Sequence, residues 1–401
     1  MSDKVFVTGI GIISSIGLNK EETASSLMES RSGIGSISML DTRYKDEIPV
    51  AEVRETNKSL KEIARITSGS VHSRTALLGI IAARQALSDA HIHDINEFTT
   101  GMISATTVGG MDRSEKFYQN YIKNSSSGRL RDIITHDCAD STEQIADNLG
   151  IKEWVSTIST ACSSSANAIM FGSRLIENGI LDRVLVGGVD ALTIFTINGF
   201  NSLMILDRNG CKPFDEARNG LTLGEGAGYL MLESEHTVSQ SGKRPLCEIG
   251  GYGNACDAYH QTASSPDGEG ALMAMQKAIR NANLMPGLID YINAHGTGTK
   301  NNDLSEGIAI RRLYVNRVPP FSSTKSFTGH TLGAAGAIEA VFCVMALKYQ
   351  WIYPNLNFSR QMTDLGMSPI AVFKSDITLR NIMSNSFGFG GNNTSLIFSS
   401  C

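Results

Sequence analysis

Short apolar runs alternate along the chain with longer stretches in which apolar residues recur at helical spacing. The runs are typical of buried strands, and the stretches are typical of helices with one face on a core. Strand-like runs begin at Val5, Gly101 and Arg183, and helical spacing extends over residues 70–91, 166–177 and 271–282. The alternation predicts an α/β fold with layered sheets.

The first strand-like run leads into a series of glycines. VFVTG (5–9) predicts a strand that ends in a glycine turn, and the letters that follow partly match a dinucleotide-binding loop. Ser14 stands where that loop needs its third glycine, and no acidic residue closes a second strand at the expected distance. The sequence therefore gives weak support for a bound dinucleotide.

A polar segment over residues 233–243 separates two apolar runs and predicts a boundary between an N-terminal half, 1–240, and a C-terminal half, 241–401. Each half has glycine-rich strands and a helix that begins near a chemically reactive residue, Cys162 in the first half and His330 in the second. This parallel predicts two similar halves that arose by duplication.

Composition narrows the functional class. The chain has 401 residues, of which 41% are apolar, so it can bury a large core in about two to three domain-sized units. The net charge is −5, and no cluster of five or more lysines and arginines occurs. Nucleic acid is therefore not expected as a partner.

The N-terminal segment and the cysteines indicate the compartment. The first 17 residues lack a basic flank and a small-residue cleavage site, and no window of the chain reaches 18 apolar residues. The seven cysteines are scattered without a CxxC pair, which favours reduced thiols over a disulfide framework or a zinc site. We expect a cytoplasmic protein that does not contact a membrane and binds no metal.

The stretch STACSSSA (159–166) places one cysteine among small side chains. Residues 152–158 are predicted to enter a strand and residues 163–177 to form a helix, so Cys162 is expected at the turn between them. A helix start favours a thiolate, and small neighbours admit a bulky acyl group. A small cysteine packed in a tight turn is the alternative that this stretch alone leaves open.

Two histidines are expected to border a cleft. His295 ends the strand-like run 288–294, and His330 lies between Lys325 and an apolar helix predicted over 332–347. A helix start favours a neutral imidazole at His330. Turn filling by His295 and capping by His330 stay open as alternatives, but a nucleophilic thiol needs such partners from elsewhere in the chain.

Three acidic residues lie near these histidines in the sequence. Asp303 is predicted to be the N-cap of a helix that extends to Leu313, with Glu306 at the capping-box position. Glu339 lies on the apolar helix after His330, where a buried carboxylate would need a cation, and Lys325 is the candidate. Near the C-terminus, NSFGFGGNN (385–393) predicts a loop with exposed amides and a mobile aromatic ring, or a simple turn.

Taken together, these motifs resemble those of the β-ketoacyl-acyl-carrier-protein synthases, the elongating condensing enzymes of the thiolase superfamily. The resemblance covers almost the whole chain, through VTGIGIISSIG, TACSSS, KPFDEARNGLTLGEGAG, NAHGTGTKNND, SSTKSFTGHTLGAAGAIEA and NSFGFGGNN. It implies a thiolase-like α/β fold in which two similar halves form an α-β-α-β-α layered arrangement.

The resemblance also implies residue roles. Cys162 looks like the acyl-accepting nucleophile, and His295 and His330 look like the pair that completes its triad. Phe389 resembles the gating aromatic whose backbone N–H joins that of Cys162 in an oxyanion hole. Supporting or substrate-contacting roles are implied for Lys325, Glu339, Asp303, Glu306, Thr297, Thr299, Phe200, Val108, Met111 and Phe387. Among these, Val108 and Met111 are expected to limit acyl chain length.

The implied reaction is that of a 3-oxoacyl-acyl-carrier-protein synthase, an acyltransferase. It is a decarboxylative Claisen condensation of a cysteine-bound acyl group with malonyl carrier protein, in fatty acid or specialised polyene or polyketide biosynthesis. No cofactor is implied. The implied partners are acyl carrier protein, acyl and malonyl thioesters, and a second subunit, either a copy of this chain or a paralogue.

The sequence departs from the family pattern at two places that bear on substrate binding. Lys300-Asn301-Asn302 stands where elongating enzymes have proline or small residues, and residues 201–204 carry no cation for an acidic carrier. Arg74, Arg129 or Arg131 are expected to dock the carrier instead.

Two rival functions remain at the level of sequence. A non-catalytic chain-length-determining subunit of a condensing heterodimer would usually lack the nucleophile. A cysteine hydrolase would leave the second histidine, Lys325 and the FGFGG loop unexplained.

Overall fold

The computed structural model describes residues 4–67 and 71–401, so Ser70, where helical spacing begins in the sequence, lies outside the described residues. The strands are β1 Val5–Ser14, β2 Thr100–Ala105, β3 Trp154–Ile158, β4 Arg183–Asp190, β5 Gly226–Ser234, β6 Cys247–Cys256, β7 Tyr291–Asn293, β8 Phe321–Ser322, β9 Asn381–Phe387 and β10 Asn392–Ser399.

The α-helices of the described residues are α1 Lys20–Met28, α2 Asn57–Ile63, α3 Arg74–Asp89, α4 Met111–Lys123, α5 Cys138–Leu149, α6 Ser164–Glu177, α7 Ile194–Ser202, α8 Glu235–Ser241, α9 Glu269–Asn281, α10 Lys300–Leu313, α11 Lys325–Thr328 and α12 Ala335–Tyr349. Short 3₁₀ helices lie at Leu130–Asp132, Pro286–Leu288, Leu332–Ala334 and Phe389–Gly391.

The strand order repeats between the two halves of the chain. The order across the sheet is β3-β2-β4-β5-β1 followed by β6-β10-β9-β7-β8, so the second half repeats the first in mirror sequence. The pairing repeats as well, because β2 and β7 are parallel to both neighbours while β5 and β10 are antiparallel to theirs. The halves meet at β1 and β6, whose register pairs Phe6 with Glu248 and Val7 with Cys247.

Helices sandwich and separate the two sets of strands. On the outer faces, α3 packs on β1, β4 and β5, and α9 packs in the equivalent way on β6 and β10. Between the halves, α6 and α12 contact each other and strands of both halves. The expected α-β-α-β-α arrangement of a thiolase-like fold is therefore confirmed, whereas the boundary between residues 240 and 241 stays a prediction.

The predicted glycine turn after Val5–Gly9 is wrong, because β1 continues through both glycines to Ser14. These glycines serve close packing. A Cβ on Gly9 would lie 2.4 Å from the Ala86 carbonyl oxygen of α3, and one on Gly11 would lie 1.9 Å from the Ala82 oxygen. On β6, Gly253 faces α9 in the same way, with its Cβ position 2.4 Å from the Ala274 oxygen.

Among the described residues, one helical stretch, Leu332–Tyr349, is long and apolar enough to cross a membrane by length and composition. It is mostly buried, with α12 held between the two sets of strands. Its apolar character is thus that of a central core helix, which presents side chains to neighbours all round.

Arg74 does not lie on a docking surface, and this part of the sequence prediction is wrong. Its side chain is buried, and it donates to Glu225 through Nε (2.9 Å) and through a terminal nitrogen (2.7 Å). Glu225 also accepts from the backbone N–H groups of Val53 and Leu192. The Arg74–Glu225 pair therefore holds the backbone at Val53 and Leu192 next to the start of α3. Arg129 and Arg131 are exposed, and their role in docking the carrier stays a prediction.

We expect Arg74→Met to destabilise the protein by about 3–5 kcal/mol, because the substitution strands the buried Glu225 carboxylate without its cation. The matched control is Arg208→Met, since Arg208 pairs with Glu47 at 2.7 Å while both side chains are more than half exposed. Exposed pairs contribute roughly 1 kcal/mol or less. Urea or thermal unfolding followed by circular dichroism measures both; equal losses would contradict the buried-pair argument.

Candidate active site

Cys162 lies in the turn between β3 and α6, as its sequence context predicts. Ser163 caps α6, and Ala161, directly before the cysteine, has φ of 55°. For a residue other than glycine, this left-handed conformation costs about 1–3 kcal/mol, so it persists only where the surrounding structure enforces it. The turn is anchored, because Ser163 Oγ donates to the Asn392 side-chain oxygen at 2.7 Å and to the Thr160 carbonyl.

His330 contacts the cysteine sulfur. Its Nε2 lies 3.0 Å from Cys162 Sγ, and its Nδ1 accepts from the backbone N–H of Leu332 at 3.3 Å. A donor at Nδ1 requires the proton of a neutral ring to sit on Nε2. His330 therefore presents an N–H toward the sulfur and toward whatever binds there.

The backbone of His330 is held by the N-terminal half of the fold. Its N–H donates to the Thr222 carbonyl at 2.6 Å, and its carbonyl accepts from Gly224 at 3.0 Å. Gly329 has φ of 64°, and a Cβ there would lie 2.8 Å from the Leu223 oxygen. The motif KPFDEARNGLTLGEGAG thus supplies the strand-like segment on which the second half places its histidine.

His295 is oriented by a buried ammonium group. Lys325 Nζ lies 3.2 Å from His295 Nδ1 and also pairs with the Glu339 carboxylate of α12, as predicted. An ammonium only donates, so Nδ1 accepts and Nε2 of His295 also carries its proton. The rings of His295 and His330 are nearly perpendicular, at 87°, with centroids 5.4 Å apart.

Burial keeps both imidazoles neutral. Desolvation, reinforced by the positive charge of Lys325, holds the pKa of His295 and that of His330 well below the ordinary value of 6.5. Burial raises the pKa of Glu339 to about 7, while the Lys325 ammonium acts in the opposite direction.

The capping roles predicted for Asp303 and Glu306 are wrong. Helix α10 begins at Lys300 with Thr299 as its N-cap, so Asp303 lies within the first turn, and both carboxylates accept from backbone N–H groups that precede the helix. Glu306 accepts from the N–H groups of His295 (2.9 Å) and Gly296 (2.8 Å). Asp303 accepts from Phe214 at 2.7 Å and from Gly298. They support the histidine loop, and burial raises the pKa of Glu306 to about 7.

The loop at residues 388–391 brings backbone donors to the sulfur. Hydrogen bonds from the backbone N–H groups of Phe389 and of Cys162 itself lower the pKa of the thiol. A Cβ on Gly388 would lie 3.2 Å from the Cys162 nitrogen, so glycine allows the loop to approach the cysteine closely. The oxyanion hole implied for these two amides stays a prediction.

The expected bias of Cys162 toward a thiolate is outweighed. Burial raises the pKa of the thiol to about 11, although the nearby amides and Lys325 act in the opposite direction. The cysteine precedes α6 by two residues and lies in a largely enclosed site, where loss of solvation has the larger effect. The raised pKa favours a protonated thiol at Cys162 at neutral pH.

The sequence did not reveal a polar network next to the turn that holds Cys162. The side-chain oxygen of Asn392 accepts from Ser163, from Asn167 of α6 at 2.9 Å and from Asn254 of β6 at 2.9 Å. The sequence also did not reveal Asp190, whose buried carboxylate accepts from Val108 and Gly333 and joins the residue 107–109 loop to the start of α12. The asparagine pair after FGFGG was the signal for the first network.

Comparisons with known proteins agree with this geometry. Residues 2–237 match the family described as "Beta-ketoacyl synthase, N-terminal domain", and residues 246–359 match "Beta-ketoacyl synthase, C-terminal domain". The chain is 33% identical to "3-oxoacyl-[acyl-carrier-protein] synthase 2" of Staphylococcus aureus (strain COL), over 98% of each chain. The chain belongs to the β-ketoacyl synthase family.

Two solved structures of β-ketoacyl synthase relatives are also similar to it. "The ishigamide ketosynthase/chain length factor" is 29% identical, has a TM-score of 0.94 and is matched over 100% of both chains. "Ketosynthase (ApeO) in Complex with its Chain Length Factor (ApeC) from Xenorhabdus doucetiae" is 32% identical, with a TM-score of 0.86, over 100% of this chain and 98% of that one.

Two cavities of this β-ketoacyl synthase meet at Cys162. The first, about 350 Å³, is bordered by His295 and His330 and by Thr297, Thr299 and Phe387. The second, about 390 Å³, is mainly apolar and is lined by Val108, Phe195 and Leu203. Cys162, Phe200 and Phe389 border both, and the two phenylalanine rings stack with centroids 6.1 Å apart.

The cavities separate the predicted substrate-contacting residues into two groups. Thr297, Thr299 and Phe387 line the first cavity, and Val108 lines the second. The prediction for Met111 is not supported, because this residue lines neither cavity among those described and packs against the hydrophobic cluster that contains Val108. Met111 is the first residue of α4, three positions after Val108, and lies outside the cavity that Val108 lines.

We expect alkylation of Cys162 by iodoacetamide to accelerate about tenfold per pH unit up to about pH 11, because only the thiolate reacts. Lys325→Gln removes a charge that lowers the thiol pKa, so it should slow alkylation at pH 9. Glu339→Gln removes a charge that raises the pKa, so it should have the opposite effect.

Peptide mass spectrometry provides the measurement, because exposed Cys256 and Cys401 also react and must be resolved from Cys162. A Cys162 rate that levels off below pH 8 would show a thiolate in the resting enzyme and contradict the assignment.

Proposed function

We propose that the residues of this site carry out a decarboxylative Claisen condensation, with Cys162 holding the growing acyl group. The chain is a condensing acyltransferase of the β-ketoacyl synthase family. The observation that carries the residue assignment is the convergence of a thiol and two histidines: Cys162 Sγ and one ring nitrogen of each histidine lie within 4.8 Å of one another.

In the first half-reaction, Cys162 Sγ attacks the carbonyl carbon of an acyl thioester on its carrier. The N–H groups of Cys162 and Phe389 hold the oxyanion of the tetrahedral intermediate. The carrier thiol departs with the proton that the Cys162 thiol gives up, and the acyl chain remains on sulfur. The second, apolar cavity receives this chain.

In the second half-reaction, malonyl carrier protein occupies the first cavity. Its terminal C–C bond breaks, carbon dioxide leaves, and the electron pair forms an enolate whose oxygen accepts hydrogen bonds from Nε2–H of His295 and of His330. The enolate carbon then forms a bond with the acyl carbon on Cys162 as the C–S bond breaks, and the sulfur leaves as a thiolate that takes up a proton from solvent to restore the thiol. The product is a 3-oxoacyl carrier protein that is longer by two carbons.

This chemistry uses only groups that the fold already places, and the proposal includes no metal or organic cofactor. The Cys162, His295 and His330 side chains are of the types that serve as ligands to a soft divalent cation. The hydrogen bonds to Nδ1 of both rings instead leave the proton on Nε2, which supports the proposal that both Nε2–H groups donate to substrate oxygen.

The proposed setting is the cytoplasm, with acyl carrier protein as the substrate carrier and a dimer as the working form. Free cysteines throughout the described residues fit a reducing compartment. The S. aureus relative is named for an acyl-carrier-protein substrate. The Xenorhabdus relative was solved with its chain length factor, so a paralogous second subunit is as admissible here as a second copy.

The two rival functions would require different sets of residues in the site. A chain-length-determining subunit does not require the nucleophile, whereas this chain has Cys162 and both histidines in contact geometry. A cysteine hydrolase has no use for the second imidazole with its own buried lysine and carboxylate.

The decisive experiment incubates the protein with acyl and malonyl carrier proteins. We expect a 3-oxoacyl product and carbon dioxide in equal amounts. His295→Ala should reduce decarboxylation by about 10² or more, because an enolate loses one of its hydrogen-bond donors. The same variant should still acylate Cys162, since His330 is the ring in contact with sulfur. Free fatty acid without carbon dioxide would instead identify a hydrolase.

We expect Gly199, together with Val108 of the same cavity, to set the length of the accepted acyl chain. Gly199 lines the second cavity from within α7, its φ is not in the left-handed region, and a Cβ would meet nothing within 4 Å. Glycine inside a helix is about 0.5–1 kcal/mol less stable than alanine, so local structure does not favour it. Absence of a side chain instead leaves the cavity open.

Gly199→Leu should shorten the longest acyl group that Cys162 accepts by about four carbons, the number in the added side chain. Intact-mass measurement of acylation across a series of primers tests this. Gly287→Leu is the control, because a Cβ on Gly287 also meets nothing within 4 Å but Gly287 lies outside both cavities. An unchanged chain-length limit in Gly199→Leu would contradict the assignment.

A further inference from the structure

The side chains that border the first cavity become steadily more exposed along the segment that follows β7. His295 and Thr297 are buried, Thr299 is half-buried and Lys300 is exposed. All four line the same cavity, so this segment leads from the reacting groups to the mouth. Met204, 89% exposed, lies at the mouth as well. The first cavity therefore has an inner end at Cys162, where the reaction is proposed to take place, and an outer end at Lys300.

Lys300 supplies the charge at this outer end. Of the described residues that line the first cavity, it is the single lysine or arginine, and no aspartate or glutamate is among them. Within the described part of the chain, its ammonium forms no ion pair or hydrogen bond, whereas many other cations of the fold are paired. Its charge is available to something that enters the cavity.

The backbone beneath Lys300 is held in place. Its carbonyl oxygen accepts from the Arg218 guanidinium at 3.0 Å. Next to it, Asn301 exchanges two hydrogen bonds with Ser264, one from Ser264 N–H at 2.7 Å and one to the Ser264 carbonyl at 3.2 Å. Ser264 and Asn301 line the same mouth. The lysine thus extends from a fixed rim, which limits the region that its ammonium can sample.

The chemistry of the substrate determines which anion reaches this rim. A carrier-bound thioester reacts at its sulfur end, which must lie beside Cys162, and the malonyl carboxylate is lost at that same inner end. The outer end of the carrier's prosthetic arm is a phosphodiester. Lysine is a regular partner for phosphate in proteins, as a compact positive charge.

We infer that Lys300 binds the phosphate at the outer end of the carrier's pantetheine arm and so selects phosphorylated thioesters as substrates. The inference rests on the proposed condensing function and deepens it. It assigns a role to a residue at which the sequence departs from its family, and it explains how a mouth without a cation at residues 201–204 recognises an anionic substrate. Lys300 is a specificity residue, and the reacting atoms do not require it.

The test compares acyl thioesters of pantetheine, phosphopantetheine and intact carrier protein in the wild type and in Lys300→Gln. We expect Lys300→Gln to raise KM about tenfold for the two phosphorylated substrates, as for loss of a charge-assisted hydrogen bond, with kcat unchanged. KM for the pantetheine thioester should not change. Lys300→Arg should retain most of the affinity, and high salt should reduce the difference between wild type and Lys300→Gln.

Lys374→Gln serves as the matched control, because Lys374 is exposed and lines neither cavity. Equal KM values for phosphopantetheine thioester in wild type and Lys300→Gln would overturn the inference. A loss confined to intact carrier protein would also overturn it, since the lysine would then contact the carrier's own surface. Condensation by the wild type is scored separately, so failure of the proposed function is distinguishable from failure of this inference.

Discussion

A buried ammonium group fixes the geometry of the site. Lys325 is 1% exposed, and a charge so far from water is strongly unfavourable unless an opposite charge and hydrogen-bond acceptors surround it. Glu339 from α12 supplies the charge, and Nδ1 of His295 supplies an acceptor. Neither group can move without stranding the lysine. The tautomer of His295, and with it the direction of its Nε2–H, follows from this constraint.

The duplicated architecture explains why such a site can assemble between distant parts of the chain. The related helices α6 and α12 pack together at the centre, so the turn before the first and the segment before the second converge. Cys162 arrives from the first turn and His330 from the second segment, 168 residues later. Strand-like pairing of His330 with residues 222–224 then fixes the imidazole relative to the half that carries the thiol.

Sequence patterns predicted the features that depend on neighbouring residues along the chain, and they failed for features that depend on distant contacts. The strand, turn and helix around Cys162 have local sequence signals, and the family motifs identified Cys162, His295 and His330 as candidates. Asp303 and Glu306 matched a capping pattern, yet the helix begins earlier, at Lys300, and their carboxylates accept from the histidine loop before it and, for Asp303, from Phe214, 89 residues away. Gly9 looked like a turn because sequence does not reveal the helix that packs on it. Arg74 looked like a surface cation because its buried partner, Glu225, lies 151 residues away.

In the proposed mechanism, the raised pKa of the Cys162 thiol means that this residue is activated only once substrate is bound. The second step of the proposed condensation expels this sulfur as a thiolate, so a group that is basic in the resting site must become a better leaving group when substrate is present. We infer that the Nε2–H of His330 and the amides of Cys162 and Phe389 assist this step by donating toward the sulfur or the oxygen beside it. Water excluded by the bound acyl chain strengthens those same interactions. The enclosed setting that disfavours a free thiolate is therefore also what gives these few donors their effect on the transition states.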